Sequence, residues 1–325
     1  MTECTQSGFE FHAHFSRRVE AGFDGGAVTS DAGSLLLRET DRRLNLLPRH
    51  SLEEMVSQRV CGLALGYEDL NDREQLRDDP LLKVLAGKSD LEEPLAGKST
   101  LNRMELSTGQ PDRYKKITYW KDAIDALLVD VFLEAFEQAP EQIVLDLDTT
   151  DVELHGGQEG RFFHGYYDEY CYLPLYVRCG EHLLCVRLKE ADRDAAAGSL
   201  AEVRRMVQQI RERWPEVRIV LRGDSGFCRD ELMDWCERQH NIDYVFGVAR
   251  NERLRRLIAV QLAEAKAERE RTGRMARVFT EFPHTTTTGS WSRVRRVVAK
   301  AEQLEGKENP RFVVTSLSAG QWPAQ

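Results

Sequence analysis

The sequence predicts an α/β protein built on one mixed β-sheet, and three observations carry that prediction. Ile143-Val144-Leu145-Asp146-Leu147-Asp148 is a short apolar run closed by acids just after Pro140, and it reads as a buried strand. Cys171 to Val177 and His182 to Leu188, separated by Arg178-Cys179-Gly180-Glu181, read as an antiparallel hairpin. Beyond the hairpin, helix and strand alternate. Strand, hairpin of two strands, helix, strand, helix, strand is the order of a ribonuclease-H-like mixed sheet; a doubly wound nucleotide-binding fold would need a crossover helix where the hairpin stands.

Taken from the N-terminus, glycine-marked turns at Phe23-Asp24-Gly25-Gly26 and Asp31-Ala32-Gly33 precede Ser34-Leu35-Leu36-Leu37-Arg38-Glu39, a capped helix start. From Ser51 to Leu85 the apolar positions Leu52, Met55, Val56, Val60 and Leu63 recur at helical spacing, with breaks at Gly62, Gly66 and Pro80, which predicts a small helical module. Trp120 to Phe136 is an amphipathic helix with Ile124, Leu127, Leu128, Val131 and Phe132 on one face. After the hairpin, a helix over 197–214 carries Leu200, Val203, Met206, Val207 and Ile210 on one stripe and ends before Pro215. Val217 to Leu221 is the next strand, Asp230 to Gln239 a helix and Asp243 to Val248 a further strand. From Leu254 a helix rich in Glu and Arg gives way to β-like runs, Arg277 to Thr280 and Val294 to Ala299, paired with Arg311 to Thr315. Three regions follow: 1–140, mostly helical and a candidate for DNA binding; 141–252, the ribonuclease-H-like core; and 253–325, an inserted β-rich subdomain.

Composition narrows the classes. The 325 residues suffice for two or three domains. A net charge of −9 disfavours coating of nucleic acid by bulk electrostatics, yet leaves room for a local basic face. Seven cysteines without a C-x-x-C pair read as reduced thiols of a cytoplasmic protein, and disfavour a structural zinc site. No run of about 18 apolar residues argues for a membrane span, and no signal pattern opens the chain.

The chemistry is expected at two acids. Asp148 closes the first core strand, and Asp224 follows the strand Val217 to Leu221 within Leu221-Arg222-Gly223-Asp224-Ser225-Gly226-Phe227. In a ribonuclease-H-like order these strands are neighbours, so both carboxylates reach one site, where such acids hold two Mg²⁺ (or Mn²⁺) about 4 Å apart for phosphodiester chemistry. Carboxylates that close repel each other unless cations intervene. Gly223 and Gly226 suit a turn that approaches a ligand closely. The competing plain reading makes each Asp a cap of its strand or of the following helix.

Asp146-x-Asp148-x-Thr150 also fits the nucleophile loop of dehalogenase-like phosphatases, which would need a returning helix where the hairpin stands. On period-two geometry Asp146 shares a face with Asp148 and reads as a buried supporting acid. Ala96-Gly97-Lys98-Ser99-Thr100 lacks both the first glycine and the preceding strand of a phosphate loop. Lys98 and Arg103 stay candidates for phosphate contacts, as do Arg250 and Arg253, with solvated charge as the alternative for each. His155, His164 and His182 show no ligand spacing. Phe162, Phe163, Tyr166, Tyr167, Tyr170 and Tyr172 could stack on an unpaired base or pack a loop.

The stretch Leu145-Asp146-Leu147-Asp148-Thr149-Thr150-Asp151, His155 to Tyr167, Cys171-Tyr172-Leu173-Pro174-Leu175, Asp224-Ser225-Gly226-Phe227 and Tyr244 to Asn251 resembles insertion-sequence transposases of the thirteen-eighty family, of the DDE class. The likeness extends to Phe23-Asp24-Gly25-Gly26 and to Arg311 to Leu317. It implies DNA transposition: binding of terminal inverted repeats in double-stranded DNA, Mg²⁺-dependent strand cleavage and transfer to target DNA. It is also compatible with a homodimer on paired ends. It assigns the first two family aspartates to Asp148 and Asp224. The third acid, a glutamate on a helix beyond the inserted strands, has no counterpart; Glu302, Glu305 and Glu308 precede the last strand of the insert. The expectation is therefore a C-terminally truncated transposase with impaired cleavage, or a DNA-binding remnant that acts as a regulator.

Overall fold

A computed structural model describes residues 8–14, 17–22, 52–88, 91–106, 120–157, 160–165, 167–194, 196–286, 289–320 and 322–324, the first two segments as backbone. Cys4, the Phe23 to Gly26 turn and the Ser34 to Glu39 helix start lie outside them. The chain divides into two compact units, Met1–Lys121 and Asp122–Gln325.

The first unit holds an antiparallel hairpin of β1 (Gly8–His14) and β2 (Arg17–Gly22), with Phe9 opposite Ala21 and Phe11 opposite Val19. This hairpin was not among the expected elements of a mostly helical region; its signal is the alternation of Phe9 and Phe11 with Glu10 and His12. Among the described residues, four α-helices follow: α1 (Glu53–Ala64), α2 (Arg73–Leu76), α3 (Pro80–Leu85) and α4 (Lys98–Glu105). Helix α3 starts where Pro80 occupies the first turn and Asp79 accepts a hydrogen bond from the Leu82 amide at 2.7 Å. Cys61, Leu82, Leu85, Ala86 and Leu95 form a small core of their own.

The second unit is a mixed sheet with helices against it. Its elements are α5 (Lys121–Glu134), β3 (Gln142–Thr149), β4 (Val152–Glu153), β5 (Phe162–His164), β6 (Glu169–Tyr172), β7 (Leu175–Cys179), β8 (His182–Arg187), α6 (Ser199–Arg213), β9 (Arg218–Gly223), α7 (Asp230–Glu237), β10 (Ile242–Gly247), α8 (Glu252–Leu257), α9 (Ala259–Thr272), β11 (Ala276–His284), β12 (Arg295–Leu304), β13 (Lys307–Glu308) and β14 (Arg311–Thr315). The main sheet runs β11-β12-β14-β10-β9-β3-β7-β8, with β13 beside β12. Strands β3, β9 and β10 are parallel; β7, β8 and β14 run against their neighbours. The strands after residue 253, expected as an inserted subdomain, continue this sheet from β10. The expected hairpin begins later than read, because Leu173-Pro174 breaks it and Glu169–Tyr172 joins a separate three-stranded sheet, β4-β6-β5. Among the described residues no helix stands between β3 and β7, where a dehalogenase-like phosphatase requires one.

Period-two geometry explains why the helices gather on one side. Ile143, Leu145 and Leu147, Ile219 and Leu221, and Ile242, Tyr244 and Phe246 all share one face and are buried. They pack with Val129 and Phe132 of α5, Met206 and Ile210 of α6, and Met233 and Cys236 of α7. Each such side chain contributes about 1.5–3 kcal/mol through burial. The opposite face carries Val144, Val220 and Val245 together with Asp146, Asp148, Arg222 and Asp243, and becomes polar toward the carboxyl ends of β3 and β9. Six free cysteines lie among the described residues, four of them buried, and burial pushes the Cys185 thiol up to about 11. No described helix is long and apolar enough to cross a membrane.

Candidate functional site

Strands β3 and β9 are hydrogen-bonded in parallel with Leu145 beside Leu221, Asp146 beside Arg222 and Leu147 beside Gly223. Continued one step past the end of β9, this register would set Asp148 beside Asp224. Neighbouring strands lie about 4.8 Å apart, and in-register partners of a parallel pair point to the same face. On that register the two aspartates would stand side by side; both are exposed, at the carboxyl ends of adjacent strands.

The turn after Asp224 is built to hold it. Asp224 keeps an extended backbone and caps the short 3₁₀ turn Ser225–Phe227, its Oδ1 accepting from the Gly226 amide at 2.8 Å. The capping role expected as the plain alternative is thus real; it engages one carboxylate oxygen. Phe227 is fully buried and anchors the turn from below, filling space that a side chain at Gly223 would need. Gly247 lies on β10, where a Cβ would meet the Ser225 amide nitrogen at 2.9 Å. Only glycine lets β10 pass this close to the turn.

Asp146 shares the face of Asp148, as read from the sequence, but it is not buried: its side chain is about a third exposed and is gripped at both oxygens by Arg222, with Nη2 to Oδ2 at 2.7 Å. A second pair on the same face joins Arg218 to Asp243 at 2.7 Å. Arginine thus neutralises the acids upstream, while Asp148 and Asp224 carry no ion pair among the described residues. Their hard oxygen donors suit Mg²⁺ or Mn²⁺. Among the described residues no group of three or more His, Cys, Asp or Glu side chains is placed to hold a metal ion.

The predicted basic residues separate. Arg250 follows β10 and lines the same cleft as Asp224. Arg253, on α8, reaches the Thr285 carbonyl at 3.5 Å. Lys98 and Arg103 lie on α4 in the other unit. There the Lys98 amide donates to Glu74 at 3.1 Å, so a carboxylate already occupies the helix start where the phosphate-loop-like segment would seat an anion. Phe162, Phe163 and Tyr170 are exposed on the small β4-β6-β5 sheet, with Phe163 edge-on to Tyr170 and Arg161 over the Tyr170 ring at 4.7 Å. Sequence reasoning missed Lys307 and Arg311, which line the Asp224 cleft from the far end of the chain. Their only signal was their proximity to the Asn309-Pro310 turn.

Two exposed aspartates thus stand at the carboxyl ends of neighbouring parallel strands in the mixed sheet of an α/β protein. The family model for transposase DDE domain group 1 matches residues 11–324, and the chain belongs to that family. Neither the curated proteins nor the solved structures include a match to it.

Proposed function

We propose that this protein catalyses DNA transposition through metal-dependent phosphodiester cleavage and strand transfer, with Asp148 and Asp224 as the paired cation ligands of a ribonuclease-H-like core. The observation that supports this reading is the parallel pairing of β3 with β9, whose carboxyl ends carry Asp148 and Asp224. A divalent cation there supplies charge neutralisation at the scissile phosphate and acidifies the attacking hydroxyl. The chain's own contribution is position. Gly226 holds one oxygen of Asp224, Arg222 removes Asp146 from competition, and Phe227 and Gly247 fix the turn.

Family membership supports the transposase reading, and the sequence likeness to the thirteen-eighty group supports terminal inverted repeats as the DNA. The N-terminal unit, 1–121, is assigned here to binding those ends.

Titrating the chain with Mn²⁺, followed by electron paramagnetic resonance, tests the site directly. Asp148→Asn and Asp224→Asn should each weaken binding at least about tenfold, the equivalent of roughly 1.4 kcal/mol. Nicking of supercoiled DNA in Mg²⁺ or Mn²⁺, lost in both variants, would establish the reaction. Unchanged Mn²⁺ affinity in the two variants would sink the assignment.

A further inference from the structure

We propose that Arg250, Lys307 and Arg311 form a phosphate track that leads a DNA strand across one cleft to Asp224; this inference rests on the phosphodiester-transfer reading above. The cleft has a volume of about 670 Å³ and is lined by the Asp224 turn, the segment after β10, and the β13 to β14 connection. Five charged side chains line it: Asp224, Arg250, Lys307, Glu308 and Arg311. Glu308 is already neutralised by Arg255 at 2.6 Å. Arg250, Lys307 and Arg311 are exposed and carry no ion pair among the described residues. Once Glu308 is set aside, the cleft presents three open cations beside one carboxylate.

The wall that carries Lys307 and Arg311 is held in place. Gly306 turns the chain at a φ of 72°. The Asn309 amide nitrogen donates to the Glu302 carbonyl at 2.8 Å, and its side chain donates to the Glu302 carboxylate at 2.5 Å. Arg277 and Lys300 fix that carboxylate in turn, at 2.6 and 3.0 Å, and Pro310 is buried. Cations on a fixed wall lose little freedom when an anion arrives. A cleft with a net excess of cations also concentrates anions within it.

The partner follows from charge and from the neighbour. Lysine and arginine contacts to phosphate supply sequence-independent affinity for nucleic acid, and a phosphodiester chain is the polyanion that Asp224 would meet through a divalent cation. Sequence alone placed Arg250 57 residues from Lys307 and gave no reason to join them, and the antiparallel pairing of β14 with β10 does so.

The test is fluorescence anisotropy of labelled single-stranded and duplex DNA against the whole chain, in EDTA, over a series of salt concentrations. Working without metal keeps this measurement independent of the Asp148–Asp224 assignment, which the Mn²⁺ titration addresses. The variant Arg250→Gln/Lys307→Gln/Arg311→Gln should bind at least about tenfold more weakly. Its slope of log affinity against log salt should shrink by about 2–3, at roughly 0.7–0.9 per phosphate contact. Arg250→Lys/Lys307→Arg/Arg311→Lys should restore most of the affinity, and Mn²⁺ binding should persist in both variants. Arg213→Gln/Lys266→Gln/Arg274→Gln, which removes three exposed charges elsewhere, should leave the slope close to that of the parent. An unchanged slope in the cleft variant, an equal loss in the control variant, or no salt-dependent DNA affinity in the parent would each overturn the inference.

Discussion

A Cβ built on Gly247 would lie 2.9 Å from the Ser225 amide nitrogen and 3.1 Å from the Asp224 carbonyl carbon, so β10 and the Asp224 turn approach as closely as backbone can. Both contacts are backbone, which cannot swing aside as a side chain could. Gly247→Ala should therefore cost about 1–3 kcal/mol in urea denaturation, the range for overpacking. It should also weaken Mn²⁺ binding, because the turn that carries Asp224 must move. Gly320, with nothing within 4 Å of an added Cβ, supplies the control, and Gly320→Ala should be neutral in both measurements.

The Asp146–Arg222 pair makes a prediction of opposite sign. The two side chains are 35% and 62% exposed, so the pair adds only about 0–1 kcal/mol to stability. Its effect is electrostatic. Arg222→Gln removes a positive charge and releases a carboxylate two residues from Asp148 on the same face, and should tighten Mn²⁺ binding several-fold. Adding Asp146→Asn to that variant should cancel the gain. Weaker binding in Arg222→Gln would show that the arginine orders the site instead of screening it.

Acid titration should find Glu302. Hydrogen bonds from Lys300, and then from Arg277 and Asn309, hold its carboxyl at about 2, against an ordinary value of 4.5. A carboxyl whose pKa is depressed on folding stabilises the native state above its unfolded value. That contribution is lost as pH falls from 4.5 through about 2. Thermal unfolding followed over this window should show a Glu302-dependent fall in Tm, and Glu302→Gln should start lower at neutral pH and fall less. Equal pH slopes for parent and variant would refute it.

Arg295 should be among the costly surface-strand substitutions. It is 4% exposed and bridges Asp230 at 2.5 Å and Glu237 at 2.6 Å, tying β12 to α7. Removing it leaves Asp230 with only the Ser292 donors and Glu237 with Tyr244 and the more exposed Arg293, and Arg295→Met should cost about 2–4 kcal/mol by chemical denaturation. Arg271→Met, which breaks an exposed pair with Glu268 within α9, should cost under about 1 kcal/mol. Similar losses in both would mean that burial does not set the value of the Arg295 pairs.

Much of the fold was legible locally. The short apolar run from Ile143, closed by acids at Asp148, announced β3, the Val203-Met206-Val207-Ile210 spacing announced α6, and both proved to be the elements found there, within a residue or two at the ends. Other features were not legible because they depend on partners distant in sequence. Cys171 to Val177 read as one strand, yet Pro174 separates a strand of the main sheet from one of the small sheet. Asp146 was expected to be buried, since a strand pattern reports which face a residue occupies but not what covers that face; Arg222, 76 residues away, decided it.

By itself the sequence determined the central strands β3, β9 and β10, and that acids follow the first two, because these are properties of short stretches of chain. Tertiary structure alone decided that β3 lies in register beside β9, that Gly247 abuts Ser225, and that Lys307 and Arg311 share a cleft with Arg250. The reason is register: interstrand hydrogen bonds and the burial of a common apolar face select one alignment among many, and no local pattern encodes that choice.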